Sequence, residues 1–213
     1  MKLLIAVPCM DMMHTSFVRS LTEMYKPTGT VIAYVQGTLI YEARNVIAHN
    51  AVKEGFDRVL WLDSDMIVPR DTIQRFGKIL DSGADLATGL YFGRKPPYNP
   101  VILEKLEWFV HDDGNVEVNS DSFTDYPRDC IFPIAGCGFG CCMTKTAMLG
   151  KVIELYGSPF TPMMGMGEDV AFCWRAGKAG FSMYCDSRTK CGHVGQYTIT
   201  ERDYIAGTQR NKG

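Results

Sequence analysis

The chain has 213 residues, 46% of them hydrophobic and 22% charged. These are the proportions of one folded globular domain, and they exclude a disordered chain, a collagen-like repeat and a coiled coil. The formal net charge is −2, from 22 basic and 24 acidic residues. With no dense run of Lys and Arg, nothing supplies the basic surface that a nucleic-acid backbone requires, and no nucleic-acid partner is expected. No apolar stretch reaches the roughly 18–20 residues of a spanning helix, so no transmembrane segment is expected either.

The first half alternates strands with amphipathic helices. Residues 3–7 (LLIAV) form an apolar run ended by Pro8 and then Asp11. That is too short for a secretory leader, and it predicts a buried strand at the start of a cytoplasmic protein. Phe17, Val18, Leu21, Met24 and Tyr25 recur at helical spacing over 15–25, and Pro27 and Gly29 stop the helix. A β-branched strand is predicted over 30–35, a helix over 41–54 closed by Gly55, and a strand over 56–62. A helix over 70–80 and a strand over 84–88 follow. Such alternation implies crossovers and a mainly parallel sheet covered on both faces, with ligands gathering at the carboxyl ends of the strands. Chemistry is therefore expected just after Val7, Val35, Leu62 and Thr88.

The second half changes character. Residues 89–130 hold prolines and an acidic stretch, with a hairpin turn expected around 111–115. Residues 131–143 place Gly136, Gly138 and Gly140 between apolar residues, read as one strand closely approached by other backbone. A helix to about Tyr156, a Pro/Met/Gly-rich loop, a helix over 168–179 and a strand over 181–185 complete the core, before a polar tail from residue 197. The eight cysteines lack both a dense framework and a secretory signal, which predicts reduced thiols. Paired C-x-x-C ligands are missing, so a structural zinc site is disfavoured. With no internal repeat and no linker, one domain over 1–213 is expected.

The most informative segment is Val59–Pro69, where an apolar strand delivers Asp63 and Asp65 to its carboxyl end. On an extended segment residues i and i+2 project to the same side, so both carboxylates could face one ligand. Their oxygens suit Mg²⁺ or Mn²⁺, with phosphate or water completing the octahedron. Gly167-Glu168-Asp169 opens a later helix, where acidic residues also complement the dipole.

Several features in order resemble the GT-A glycosyltransferases, family-2-like members in particular, over most of residues 1–195. They are Ala6-Val-Pro8-Cys9, Glu42-Ala-Arg44-Asn45, Asp63-Ser64-Asp65 with Pro69 behind it, Gly136-Cys-Gly138-Phe-Gly140, Gly167-Glu168-Asp169 and His193-Val-Gly195. The resemblance implies an α/β/α sandwich with a mainly parallel central sheet and a smaller acceptor-side β region. Residues 1–90 would form the nucleotide-binding half and 91–196 the acceptor half. It further implies that Pro8, Cys9 and Met10 line the base, that Arg44 and Asn45 approach the diphosphate, and that Asp63 and Ser64 lie near the ribose or metal-bound water. Asp65 would coordinate the metal together with His193 and Asp63. Asp169 would be the general base, with Glu168 beside it and Gly138, Gly167 and Trp174 around the sugars.

The function implied is metal-dependent transfer of a sugar from a nucleoside diphosphate to a hydroxyl acceptor. A UDP-sugar is the favoured donor and a GDP-sugar is possible. The alternative is a catalytically degenerate GT-A domain that binds nucleotide or sugar. A sugar-nucleotide pyrophosphorylase would begin with a Gly-rich loop, a glycoside hydrolase has no need of a nucleotide-diphosphate metal site, and a thiol redox protein would carry C-x-x-C. The polar segment 198–203 is a candidate lid over the cleft.

Overall fold

The structure is a computed structural model that describes residues 1–195 and Glu201. Apart from Glu201, the candidate lid at 198–203 lies outside the described residues. In chain order the elements are β1 (Leu3–Cys9), α1 (Thr15–Glu23), β2 (Val31–Gln36), α2 (Ile40–Lys53), β3 (Arg58–Leu62), β4 (Met66–Ile67), α3 (Thr72–Asp81) and β5 (Leu86–Leu90). They continue with β6 (Ile102–Val110), β7 (Val116–Ser122), β8 (Ile131–Pro133), β9 (Gly136–Cys137), β10 (Cys141–Lys145), α4 (Thr146–Tyr156), α5 (Glu168–Lys178), β11 (Met183–Lys190) and β12 (Gly192–His193).

Seven strands form the central sheet in the order β2-β1-β3-β10-β5-β11-β8. β1 runs parallel to β2 and β3, and β11 runs parallel to β5. β10 enters antiparallel between β3 and β5, and β8 lies antiparallel at the edge. Five of the seven strands therefore point the same way, and the sheet is mainly parallel.

Alternation along β1 shows how the sheet is covered. Leu4 and Ala6 join Ile47, Ala48 and Ala51 of α2, Met148, Leu149 and Val152 of α4, and Phe172 and Ala176 of α5. Leu3, Ile5 and Val7 point the other way, into Phe17 and Leu21 of α1 and Ile73, Phe76 and Leu80 of α3. With both faces buried, the central strands carry apolar residues at nearly every position. On the first face Trp61 is fully buried and donates its indole N–H to the Thr144 hydroxyl at 3.0 Å, which satisfies the polar end of a large apolar side chain. Phe139, Phe160 and Phe172 pack around it, with ring centroids 4.6–5.1 Å apart among the three.

The single strand expected over 131–143 is three short strands in two sheets. β9 leaves the central sheet to pair with β6, whose hairpin with β7 turns at the expected His111–Asn115. Gly138 sits at the break, where the packing leaves no space for a side chain. A Cβ there would sit well inside contact distance of the Tyr91 hydroxyl, 2.7 Å from Val101 Cγ1 and 3.4 Å from Asp169 Oδ2. The final strand is also longer than expected, because β11 continues to Lys190 through a register shift after Asp186. Among the described residues no helix is long and apolar enough to cross a membrane.

Candidate functional site

A cleft of about 280 Å³ opens at the carboxyl ends of β1, β2 and β3. This is where an open α/β sheet leaves strand ends uncovered by the following helices. Pro8, Cys9 and Met10 line it from the end of β1, Val35 from β2, and Asp63, Ser64 and Asp65 from the segment after β3. Arg94, from the loop after β5, closes one side. Met10 is 67% exposed, whereas the Cys9 thiol is turned toward the Val35 carbonyl at 3.8 Å, and burial pushes its pKa up.

Residues 63–65 are not extended. The Met66 N–H donates to the Asp63 carbonyl at 3.1 Å and makes the segment a turn, so the two carboxylates take different partners instead of facing one ligand side by side. Asp63 accepts from Arg44 Nη2 at 2.8 Å. Asp65 Oδ2 accepts from Arg94 Nη1 at 2.7 Å and lies 3.5 Å from His193 Nε2. Burial pushes the Asp63 carboxyl up against the pull of Arg44. Burial would also raise Asp65, but the hydrogen bond and charge of His193, with the charge of Arg94, hold it below the usual carboxylate range.

β4 and β12 bring His193 to Asp65. They pair antiparallel with His193 opposite Met66, and the Val194 N–H donates to the Asp65 carbonyl at 2.8 Å. His193 Nδ1 lies 2.8 Å from the Phe92 carbonyl. A carbonyl only accepts, so Nδ1 carries the proton in that bond and Nε2 faces Asp65. An imidazole lone pair and a carboxylate oxygen this close are reconciled by a proton or by a cation. The hydrogen bond to Asp65 accordingly raises the His193 pKa.

Arg44 is 2% exposed and does not face the cleft. Nη2 binds Asp63, Nη1 binds Glu168 Oε1, and its guanidinium carbon lies 5.6 Å from the centre of the Phe139 ring. The diphosphate contact expected of this residue is replaced by an internal one, because both terminal nitrogens are committed to carboxylates. Asn45 likewise faces the fold: its side-chain oxygen accepts from the Phe160 N–H at 2.8 Å and fixes the loop that leads to α5.

Glu168 and Asp169 form the first turn of α5, with Gly167 as the extended residue before it. Asp169 Oδ1 accepts from the Val170 N–H at 2.7 Å. Burial, together with the neighbouring Glu168 charge, raises the Asp169 carboxyl above its ordinary value. Asp169 and Gly138 line a second, smaller cavity of about 230 Å³, with Asn99 and Ser122 at its wall. Trp174 lies farther along α5 and is not brought to this cavity. It packs edge-on against Trp108 at 5.4 Å, with Lys178 over its ring.

Arg94 was not singled out by sequence reasoning. The available signal was its place just beyond the carboxyl end of β5, obscured by the flanking Gly93, Lys95, Pro96 and Pro97.

Among the described residues no group of three or more His, Cys, Asp or Glu side chains is arranged to hold a metal ion. Two donors nonetheless fit one. Asp65 Oδ1 is buried without a hydrogen-bond partner among the described residues, and His193 Nε2 stands 3.5 Å from Oδ2 of the same carboxylate. A hard cation held by so few protein ligands completes its octahedron with phosphate and water.

No family model and no curated protein matches the sequence. Solved structures do. The chain is similar to A197 from STIV, with a TM-score of 0.66 at 17% identity over 92% of this chain and 87% of that one. It is also similar to GalNAc-T7, solved with UDP, GalNAc and Mn²⁺, with a TM-score of 0.60 at 8% identity. That match covers 98% of this chain and 47% of GalNAc-T7, so the chain spans about half the length of that neighbour. At these identities the likeness establishes the fold: a Rossmann-like α/β sheet of the GT-A type, shared with a glycosyltransferase.

Removing Arg44 would leave Asp63 and Glu168 without their shared counter-charge. Arg44→Met is expected to lower unfolding free energy by about 3 kcal/mol, toward the lower end for breaking a buried pair because both carboxylates keep some solvent contact. Urea unfolding measures it, and a loss below about 1 kcal/mol would show that the carboxylates find other partners.

Proposed function

We propose that the chain is a metal-dependent glycosyltransferase that moves a sugar from a nucleoside diphosphate to a hydroxyl acceptor with inversion. The observation that carries this reading is Asp65 at the mouth of a strand-end cleft on a GT-A fold, its Oδ1 buried and without a partner among the described residues and its Oδ2 3.5 Å from His193 Nε2. A UDP-sugar is the preferred donor, since the similar GalNAc-T7 was solved with UDP, and a GDP-sugar is the second choice.

Asp65 and His193 would hold Mn²⁺ or Mg²⁺, and such a cation supplies positive charge where the leaving diphosphate becomes more negative. Pro8, Cys9 and Met10 receive the base. Asp63, fixed by Arg44, stands toward the ribose. Gly138 lines the cavity beside Asp169 that would take the donor sugar, at a point where Tyr91 and Val101 leave no space for a side chain. Asp169 Oδ1 is occupied by the Val170 N–H, so Oδ2 takes the acceptor proton as the hydroxyl oxygen attacks the anomeric carbon. The raised pKa of Asp169 makes it a stronger base than an ordinary carboxylate. Glu168, held by Arg44, positions the first turn of α5.

One observation favours a second reading, a GT-A domain that binds nucleotide or sugar without transferring it. Arg94 already occupies one oxygen of Asp65. Calorimetric titration with UDP, GDP and CDP, each in Mn²⁺ and in EDTA, followed by acceptor screening, separates the two.

Asp65→Ala is expected to abolish the Mn²⁺-dependent part of nucleotide binding, and unchanged affinity in Mn²⁺ would remove Asp65 from the cation site. Asp169→Asn is expected to leave donor affinity within about twofold while reducing transfer by about 10²–10⁴-fold. The wild-type rate should fall with acid at a pH above that of an ordinary carboxylate, since the base must be ionised and its pKa is raised. A variant rate near wild type would show that the base lies elsewhere.

A further inference from the structure

With Arg44 committed to the interior, the expected diphosphate site lacks its cation. The cleft presents Asp63 and Asp65. A diphosphate beside two carboxylates is repelled unless positive charge intervenes, and a single divalent ion held by Asp65 and His193 offsets only part of that charge. Arg94 is the one basic side chain among the described residues lining this cleft. It also lines an adjoining cavity of about 430 Å³, together with His193. Its side chain is 54% exposed, unlike that of Arg44.

The position of its guanidinium is informative. Nη1 sits 2.7 Å from Asp65 Oδ2, on the same carboxylate whose Oδ1 is buried and unpartnered. Oδ2 thus meets Arg94 and lies beside His193, while Oδ1 has no partner among the described residues and is left for a cation, so both charges can converge on an anion entering the cleft. Among the described residues only Nη1 of this guanidinium is engaged, and the rest of the planar fork matches phosphate oxygens. Its loop follows β5, whose carboxyl end faces the same way as those of β1 and β3.

We propose that Arg94 is the diphosphate-binding residue of this cleft, its guanidinium bridging Asp65 and the phosphate oxygens of the bound nucleotide. The inference rests on the transferase reading for the identity of the donor. The contact itself is with the diphosphate and can be tested without a base or a sugar.

The test titrates wild type, Arg94→Ala and Arg94→Lys with inorganic pyrophosphate in Mg²⁺, with UDP, GDP and CDP in Mg²⁺, and with Mn²⁺ alone. Arg94→Ala is expected to weaken pyrophosphate and the preferred nucleotide by about 10- to 100-fold, the range for losing hydrogen bonds to a charged group. Mn²⁺ affinity should be undiminished, and Arg94→Lys should fall between, keeping the charge but losing the fork. Pyrophosphate affinity within twofold of wild type in Arg94→Ala overturns the assignment. So does a parallel loss of Mn²⁺ affinity, which would mean that Arg94 merely holds Asp65 in place. Arg94-dependent pyrophosphate binding without nucleotide binding would sink the transferase reading and leave Arg94 assigned. Nucleotide binding indifferent to Arg94 would do the reverse, and wild type that binds neither anion overturns both.

Discussion

Arg44 lies between Asp63, at the end of β3, and Glu168, at the start of α5. An uncompensated buried guanidinium is costly, and so is either carboxylate withdrawn from water alone. The three groups are tolerable only together, and that requirement ties helix α2 to the two acidic segments that frame the cleft. Around this contact the floor of the site takes shape. Gly140 accepts from the Asp63 N–H at 3.0 Å, Tyr91 bonds Gly140, and Asn45 and Arg175 hold the loop before α5. The carboxylate expected near the nucleotide and the one expected near the acceptor are thus spaced by a rigid internal cation.

Charge in the cleft is arranged in two tiers. The inner tier is Arg44, buried against Phe139, with Asp63 and Glu168 on its two terminal nitrogens, and it sets position. The outer tier, Asp65 with His193 and Arg94, has its cation exposed to solvent and one carboxylate oxygen without a partner among the described residues. Inner groups have little freedom to respond to a ligand, because moving one exposes another to a low-dielectric interior. The exposed Arg94 can exchange partners at small cost, since solvent screens its alternatives.

Much of this was readable from residue order. The run LLIAV, the helical spacing of Phe17, Leu21 and Met24, and the apolar segment before Asp63 each specify local structure through periodicity, and the covered parallel sheet follows. Strand direction has no periodicity, so the antiparallel entry of β10 between β3 and β5 was invisible, although the glycines before it did mark a close approach. The two-residue strands β4 and β12 are too short to carry a pattern, yet they place His193 on Asp65. Arg44 and Arg94 could not be told apart by type. One sits on a helix face that turned out to be interior, the other in a proline-rich loop, and only tertiary packing assigns their exposure. The resemblance places Trp174 around the sugars, but helical geometry carries it away from Asp169 toward the β6–β7 hairpin.

The β4–β12 ladder, a pair of two-residue strands, has a consequence for how the outer tier behaves. Its strands come from opposite halves of the chain, and neither belongs to the central sheet. Opening so small a ladder costs far less than unfolding the sheet, and local openings of this kind are populated at low free energy. Each opening would carry His193 off Asp65 while Asp65 itself stayed in place. The outer tier is therefore a separable unit whose integrity is an equilibrium of its own, and any ligand that joins the two residues would tighten the ladder by mass action as it binds.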